Sequence, residues 1–184
     1  MRLAVTFMRA NPPTIGHELV VKKMQSLPAV EQRIYLSQSH DAKSNPLDFD
    51  YKLKLMKKAF EGVTTFVSPM PMFDFFAMLK FVDKLGFNEL DVVIGGDRYD
   101  DLAKRIEKYN QFEYRFHRLR VHNAGIRDDS STVSGMSASK MREAAKLNDY
   151  DTFERGLPPK LRSMSSDIMA RVREGCQFKS LVSS

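Results

Sequence analysis

The sequence predicts an α/β protein built on a doubly wound, five-stranded parallel sheet with further helices at its C-terminal end. Three observations carry that prediction. Short apolar segments rich in β-formers alternate with longer stretches of helical period, the pattern of successive βα units. The first of these segments runs into Asn11-Pro12-Pro13-Thr14-Ile15-Gly16-His17, a tight turn that opens onto a helix. No apolar run approaches the roughly 18 residues a membrane span requires, so the apolar residues belong to a packed core and no membrane is expected as a partner.

With 184 residues the chain is long enough for one substantial core but not two. Taken in order, strands are expected at 3–8, 33–37, 65–67, 90–94 and 118–122, and helices between them at 16–26, 51–60, 72–85 and 100–110. The aromatic-rich stretch from Phe73 through Phe76, Leu79 and Val82 has the spacing of one helix face packed on a sheet. The segment 123–136 is polar, with Asp128, Asp129 and Ser130, and reads as a surface loop. Ser137 then caps a helix that continues through Ala145 and Leu147. Pro158 and Pro159 interrupt the chain after Gly156, a closing helix is expected at 161–174 with Gly175 ending it, and the tail from 178 is expected to fray. The expected organisation is an α/β unit over 1–157, with 158–184 as a C-terminal helix and tail packed on it.

A formal charge of +6 and a pI near 9.4 favour polyanionic partners: nucleoside triphosphates, nucleic acid or acidic proteins. Between Lys104 and Arg127 basic residues outnumber acidic ones. A nucleic-acid footprint is one reading of that excess, but a solvated helix face or a phosphate-facing strand end uses the same residues, so nucleic acid ranks below a triphosphate. The single cysteine, Cys176, excludes an intrachain disulfide and a Cys-based zinc site and fits a reducing cytoplasm. The first residues lack the apolar region and cleavage pattern of a secretory signal.

In a doubly wound sheet, ligands bind beyond the carboxyl ends of the strands. The polar motifs fall there: 9–17, 37–46, 95–98 and 134–142 each follow an expected strand. They should converge on one site. A helix opening on Gly16-His17 presents unpaired N–H groups and a positive dipole end, which favours a phosphate. Singly each motif is weak: Gly95-Gly96 also suits a turn needing positive φ, and Ser137-Ala138-Ser139 also suits a simple cap. Neither the P-loop nor the dinucleotide Gly-x-Gly-x-x-Gly fingerprint is present, and no metal-ligand cluster stands out.

Together the motifs resemble the nucleotidylyltransferase superfamily, the Rossmann-like HxGH type that includes nicotinamide-mononucleotide, nicotinate-mononucleotide and phosphopantetheine adenylyltransferases and the cytidylyltransferases. The resemblance spans about 3–157. Met8-Arg9-Ala10-Asn11-Pro12-Pro13-Thr14-Ile15-Gly16-His17 is similar to the family's first turn in its TxGH form, and Met136-Ser137-Ala138-Ser139-Lys140-Met141-Arg142 to its late Ile-Ser-x-Ser/Thr-x-x-Arg signature. Met8 stands where the family usually has glycine and Ala10 where it usually has phenylalanine. Variants with the Gly95-Gly96-Asp97-Arg98 turn and this late helix are similar to bacteriophage-encoded ones, which implies a phage source.

The resemblance implies transfer of a nucleoside monophosphate, AMP from ATP in the leading reading, to a small phosphorylated acceptor such as nicotinamide mononucleotide, with release of pyrophosphate. Cytidylyl transfer from CTP and a nucleotide-binding or nucleic-acid-binding protein without turnover are the alternatives. It implies catalytic roles for Thr14, His17 and Arg142, with His17 donating to the α-phosphate and Arg142, Ser137 and Ser139 holding the β- and γ-phosphates. Arg9, Asn11, Pro13, Gly16, Gly95, Gly96, Asp97 and Lys140 are implied beside the nucleotide, and Lys43, Asn45, Lys52 and Arg98 beside the acceptor. Mg²⁺ is implied as a cofactor held mainly by substrate phosphates, with no protein metal ligands, and homo-oligomers are common among relatives.

Overall fold

A computed structural model describes residues 1–125 and 136–182 of the chain. Five strands, β1 (Arg2–Met8), β2 (Glu31–Leu36), β3 (Thr65–Val67), β4 (Glu89–Ile94) and β5 (Arg118–Asn123), form one parallel sheet in the order β3-β2-β1-β4-β5. The chain winds outward from β1 through β2 to β3, then crosses back to β4 and β5. The order therefore reverses between β1 and β4, and a crevice opens there at the carboxyl ends.

Among the described residues seven α-helices accompany the strands: α1 (Ile15–Gln25), α2 (Phe49–Phe60), α3 (Phe75–Asp83), α4 (Gly96–Tyr109), α5 (Ala138–Lys146), α6 (Tyr150–Gly156) and α7 (Ser165–Val182). Alternation along β1 sends Leu3 and Val5 to one face of the sheet and Ala4 and Met8 to the other. The Leu3 face is covered by α3 and α4 through Phe75, Met78, Leu79, Val82, Leu102 and Ile106. The Ala4 face is covered by α1 and α2, and the same core continues into α5, α6 and α7 through Met141, Phe153, Ile168 and Val172. The centre of the sheet is thus buried on both sides, which is why β1 and β4 are mostly apolar, whereas the edge strand β5 alternates with arginine and histidine. No helix among the described residues is long and apolar enough to cross a membrane.

Several expectations are corrected. Helix α4 begins at Gly96, four residues before the expected start, with Gly95 as its N-cap at φ −61°, so the glycine pair is a helix entry and not a positive-φ turn. Helix α3 begins at Phe75, where Asp74 accepts from the Ala77 N–H at 2.8 Å and sets the start. Helix α6 was not foreseen. A 3₁₀ turn at Pro159–Met164 precedes α7, which runs through Gly175 to Val182, so neither the glycine nor residue 178 ends it. Gly175 is there for proximity: a Cβ would sit 2.1 Å from the Pro46 carbonyl oxygen. Of the expected 123–136 loop, residues 126–135 lie outside the described residues.

Candidate active site

The turn after β1 is shaped by its backbone. Ala10 takes φ 50°, a left-handed conformation that costs an L-residue about 1–2 kcal/mol, and the chain swings from the strand into α1. Asn11, almost fully buried, ties that turn to the segment after β2: its Oδ1 accepts from the Leu47 N–H at 2.7 Å and its Nδ2 donates to the Leu47 carbonyl at 3.3 Å. Lys52 ties the same two segments from below. It is fully buried in α2, and its ammonium donates to the carbonyls of Arg9 at 2.8 Å and Ser37 at 2.7 Å. Burial, reinforced by the charge of Arg9, pushes its pKa down to about 8.

Thr14 and His17 form a capping box at the start of α1. Thr14 Oγ1 accepts from the N–H groups of Gly16 (3.1 Å) and His17 (3.4 Å), and His17 Nδ1 accepts from the Thr14 N–H at 2.9 Å. An Nδ1 that accepts a backbone N–H carries no proton in the neutral ring, so the proton lies on Nε2. The imidazole is held as a donor.

Around this turn lies a cleft of about 440 Å³. Its floor is the end of β1 from Thr6 to Asn11, with Ile94 and Gly95 from β4; His17 and Val20 come from α1, Phe75 and Arg98 from α3 and α4, Ser44 from the segment after β2, and Ser137, Ala138, Ser139 and Arg142 from the start of α5. Three helix N-termini, those of α1, α4 and α5, meet here, and that of α4 has no side-chain cap. The lining holds three arginines and a histidine, with no carboxylate among the described side chains. Arg142 is half-buried and its Nη1 donates to the Asn11 carbonyl at 3.0 Å; burial, then the charge of Arg9, lowers its pKa, and it stays protonated. Fixed positive charge with no described carboxylate in the lining suits a polyanion.

Of the residues singled out from sequence, Arg9, Asn11, His17, Gly95, Arg98, Ser137, Ser139 and Arg142 line this one cleft. Others turn inward. Thr14, expected to share the catalytic role with His17, is fully buried and spends its hydroxyl on the helix cap, so it positions His17. Lys52, expected at the acceptor, braces the cleft floor from inside. Asn45 is buried and donates from Nδ2 to Asp41 at 2.7 Å, while hydrogen bonds from the Ser44 N–H and then Asn45 hold the Asp41 carboxyl down at about 2. Pro13 and Gly16 are buried in the turn, and the Gly96 N–H donates to the Gly125 carbonyl at 3.1 Å. Lys43 and Lys140 are exposed beside lining residues, and the Asp97 side chain lies outside the described residues.

Phe7, Ser44 and Phe75 were missed. Phe75 had a signal: Asp74 as an N-cap in the segment that follows β3 starts a helix on the carboxyl side of the sheet. Within the basic stretch 104–127, Arg120 pairs with Glu89 at 3.2 Å and Arg105 comes within 4.0 Å of Asp101, while Arg127 lies outside the described residues.

Five parallel strands in this order, with helices on both faces and a cationic crevice at the reversal point, define a Rossmann-like α/β fold that is shared with solved adenylyltransferases. The Plasmodium falciparum nicotinic acid mononucleotide adenylyltransferase complexed with NaAD aligns with a TM-score of 0.63 at 16% identity, over 95% of this chain and 97% of its own. The same protein complexed with APC gives 0.62 at 16% identity, over 95% and 96%. A bifunctional NMN adenylyltransferase/ADP ribose pyrophosphatase from Francisella tularensis gives 0.63 at 13% identity, over 98% of this chain and 54% of its own. No protein-family model and no curated protein sequence matches the chain.

Proposed function

We propose that the chain is a nucleotidyltransferase that moves AMP from ATP to a small phosphorylated acceptor of the nicotinate or nicotinamide mononucleotide kind. The observation that carries this reading is the cleft where three helix N-termini, three arginines and a donor-form histidine surround a space without a described carboxylate. An oxygen of the acceptor phosphate attacks the α-phosphorus, the bond from that phosphorus to the bridging oxygen breaks, and pyrophosphate leaves with the electron pair. Two anions must meet, so the protein's work is positioning and charge neutralisation. His17 donates from Nε2 to an α-phosphate oxygen as charge builds there. Arg142 and the Ser137–Ser139 helix start hold the departing β- and γ-phosphates. Arg9 and Arg98 face the acceptor side.

Among the described residues no three His, Cys, Asp or Glu side chains lie together as a metal site. Mg²⁺ would therefore be held by the triphosphate and water, and would supply further neutralisation of the phosphate charge. Pyrophosphate release from ATP and CTP, each with a panel of phosphorylated acceptors and with or without EDTA, tests the reading. Turnover with ATP that EDTA abolishes is expected. Preference for CTP would move the assignment to cytidylyl transfer, and silence with every pair in folded protein would overturn it.

A further inference from the structure

A second cavity, of about 200 Å³, opens from the cleft and shares Phe7, Arg9, Phe75 and Arg98 with it. Its far wall is Phe76 and Arg105, and Phe73 stands at its rim 72% exposed, a large apolar ring facing solvent. The guanidinium of Arg98 lies 5.9 Å from the centre of the Phe75 ring and that of Arg105 lies 4.9 Å from that of Phe76, so both planar forks rest on aromatic faces. Asp74, the one carboxylate among the described lining residues, is engaged by the Ala77 N–H. Asp101 reaches Arg105 only at 4.0 Å, with both side chains exposed, a geometry worth little in water. We infer that this annex seats the far end of the acceptor and selects one whose flat ring carries a negative group, a ring carboxylate in preference to a carboxamide. The inference rests on the nucleotidyltransferase reading of the adjoining cleft.

The selection follows from charge. A ring of the N-ribosylated pyridine type is a cation, attracted to an aromatic face such as that of Phe73 but repelled by three guanidiniums at close quarters. A carboxylate on the ring cancels that charge and accepts two parallel N–H bonds from an arginine fork. A carboxamide does neither. Calorimetric titration of nicotinate mononucleotide and nicotinamide mononucleotide into the protein, with Mg²⁺ and a non-hydrolysable ATP analogue present, tests this. The acid should bind roughly tenfold more tightly, the scale of one charge-assisted hydrogen bond. Arg105→Gln should remove most of that preference by weakening the acid more than the amide, and Arg105→Lys should restore part of it, with unchanged thermal unfolding as the check on folding. Equal or reversed affinities, or a preference that survives Arg105→Gln, would overturn the assignment. Binding of the ATP analogue without either mononucleotide would overturn the annex alone, whereas failure of the analogue itself would overturn the cleft and the annex together.

Discussion

Two clusters of arginine in this molecule are treated in opposite ways. Around Asp91, in β4, each charge has a counterpart: Arg2 Nε meets the Asp91 carboxylate at 2.5 Å, His122 Nε2 meets it at 2.7 Å, and Arg120 pairs with Glu89 at 3.2 Å. Burial pushes the Asp91 carboxyl up, but the hydrogen bonds from Arg2 and His122 more than reverse this and leave its pKa below the ordinary value. At the carboxyl ends of the same strands, no carboxylate among the described side chains lies within ion-pair distance of Arg9, Arg98 or Arg142. The paired cluster is complete without a ligand and belongs to the fold. The cleft holds its cations without such partners, an arrangement that repels itself until an anion enters, and so belongs to binding.

The sharpest way to break this contrast is at the chemistry. His17→Ala should lower kcat by about 100-fold or more while ATP affinity changes little, as expected when a donor to the transition state is lost; an equal loss in a direct ATP titration would remove that role. Arg142→Gln should raise the ATP KM by about tenfold or more, the cost of a lost charge-assisted hydrogen bond, as steady-state kinetics would reveal. Asp91→Ala should do the reverse, lowering stability by about 2 kcal/mol with kcat/KM of the folded fraction unchanged, read from urea midpoints and initial rates. Asp91's contribution is present above the unfolded carboxyl pKa and is lost as pH falls through its depressed folded value. Thr14→Ala should cost about 1 kcal/mol as a lost helix cap and should also lower kcat by loosening His17, a double readout a simple cap would not give.

The remaining effect, one of pH, concerns Lys52. Its folded pKa near 8 lies below its ordinary value. Between the two the unfolded chain holds the extra proton, so the ammonium's burial penalty is relieved as pH rises. The gap in urea midpoint between the wild type and Lys52→Met should widen from pH 7 to pH 10. A constant gap would show that the lysine is not buried as charge.

What the sequence disclosed was direction along the chain, and what it hid was direction in space. All five strands, the Ser137 cap and the meeting of the post-strand segments at one edge were legible, because period, cap chemistry and the parallel topology each leave a local trace. Thr14, Asn45 and Lys52 were read as facing a ligand, and each faces the protein. The partners of Lys52, the carbonyls of Arg9 and Ser37, are fixed only when β1, β2 and α2 come together, whereas the His17 N–H and Asp41 lie close in sequence to Thr14 and Asn45, local bonds that the reading of motifs as ligand contacts passed over. The same limit misplaced the start of α4, where two glycines suggested a turn, and the end of α7, where a glycine suggested a stop. In both places the local signal was outweighed by a tertiary contact: the bond from the Gly96 N–H to the Gly125 carbonyl in the first case, a close approach to Pro46 in the second.

That approach makes the outer helix a lever on the catalytic wall. Pro46 precedes Leu47, Leu47 is clasped on both sides by Asn11, and the Asn11 carbonyl steers Arg142. A methyl group added at Gly175 has no room, so it must push along this relay. A mutation on a helix with no described residue in the cleft lining would then be felt as a shift of the Arg142 guanidinium.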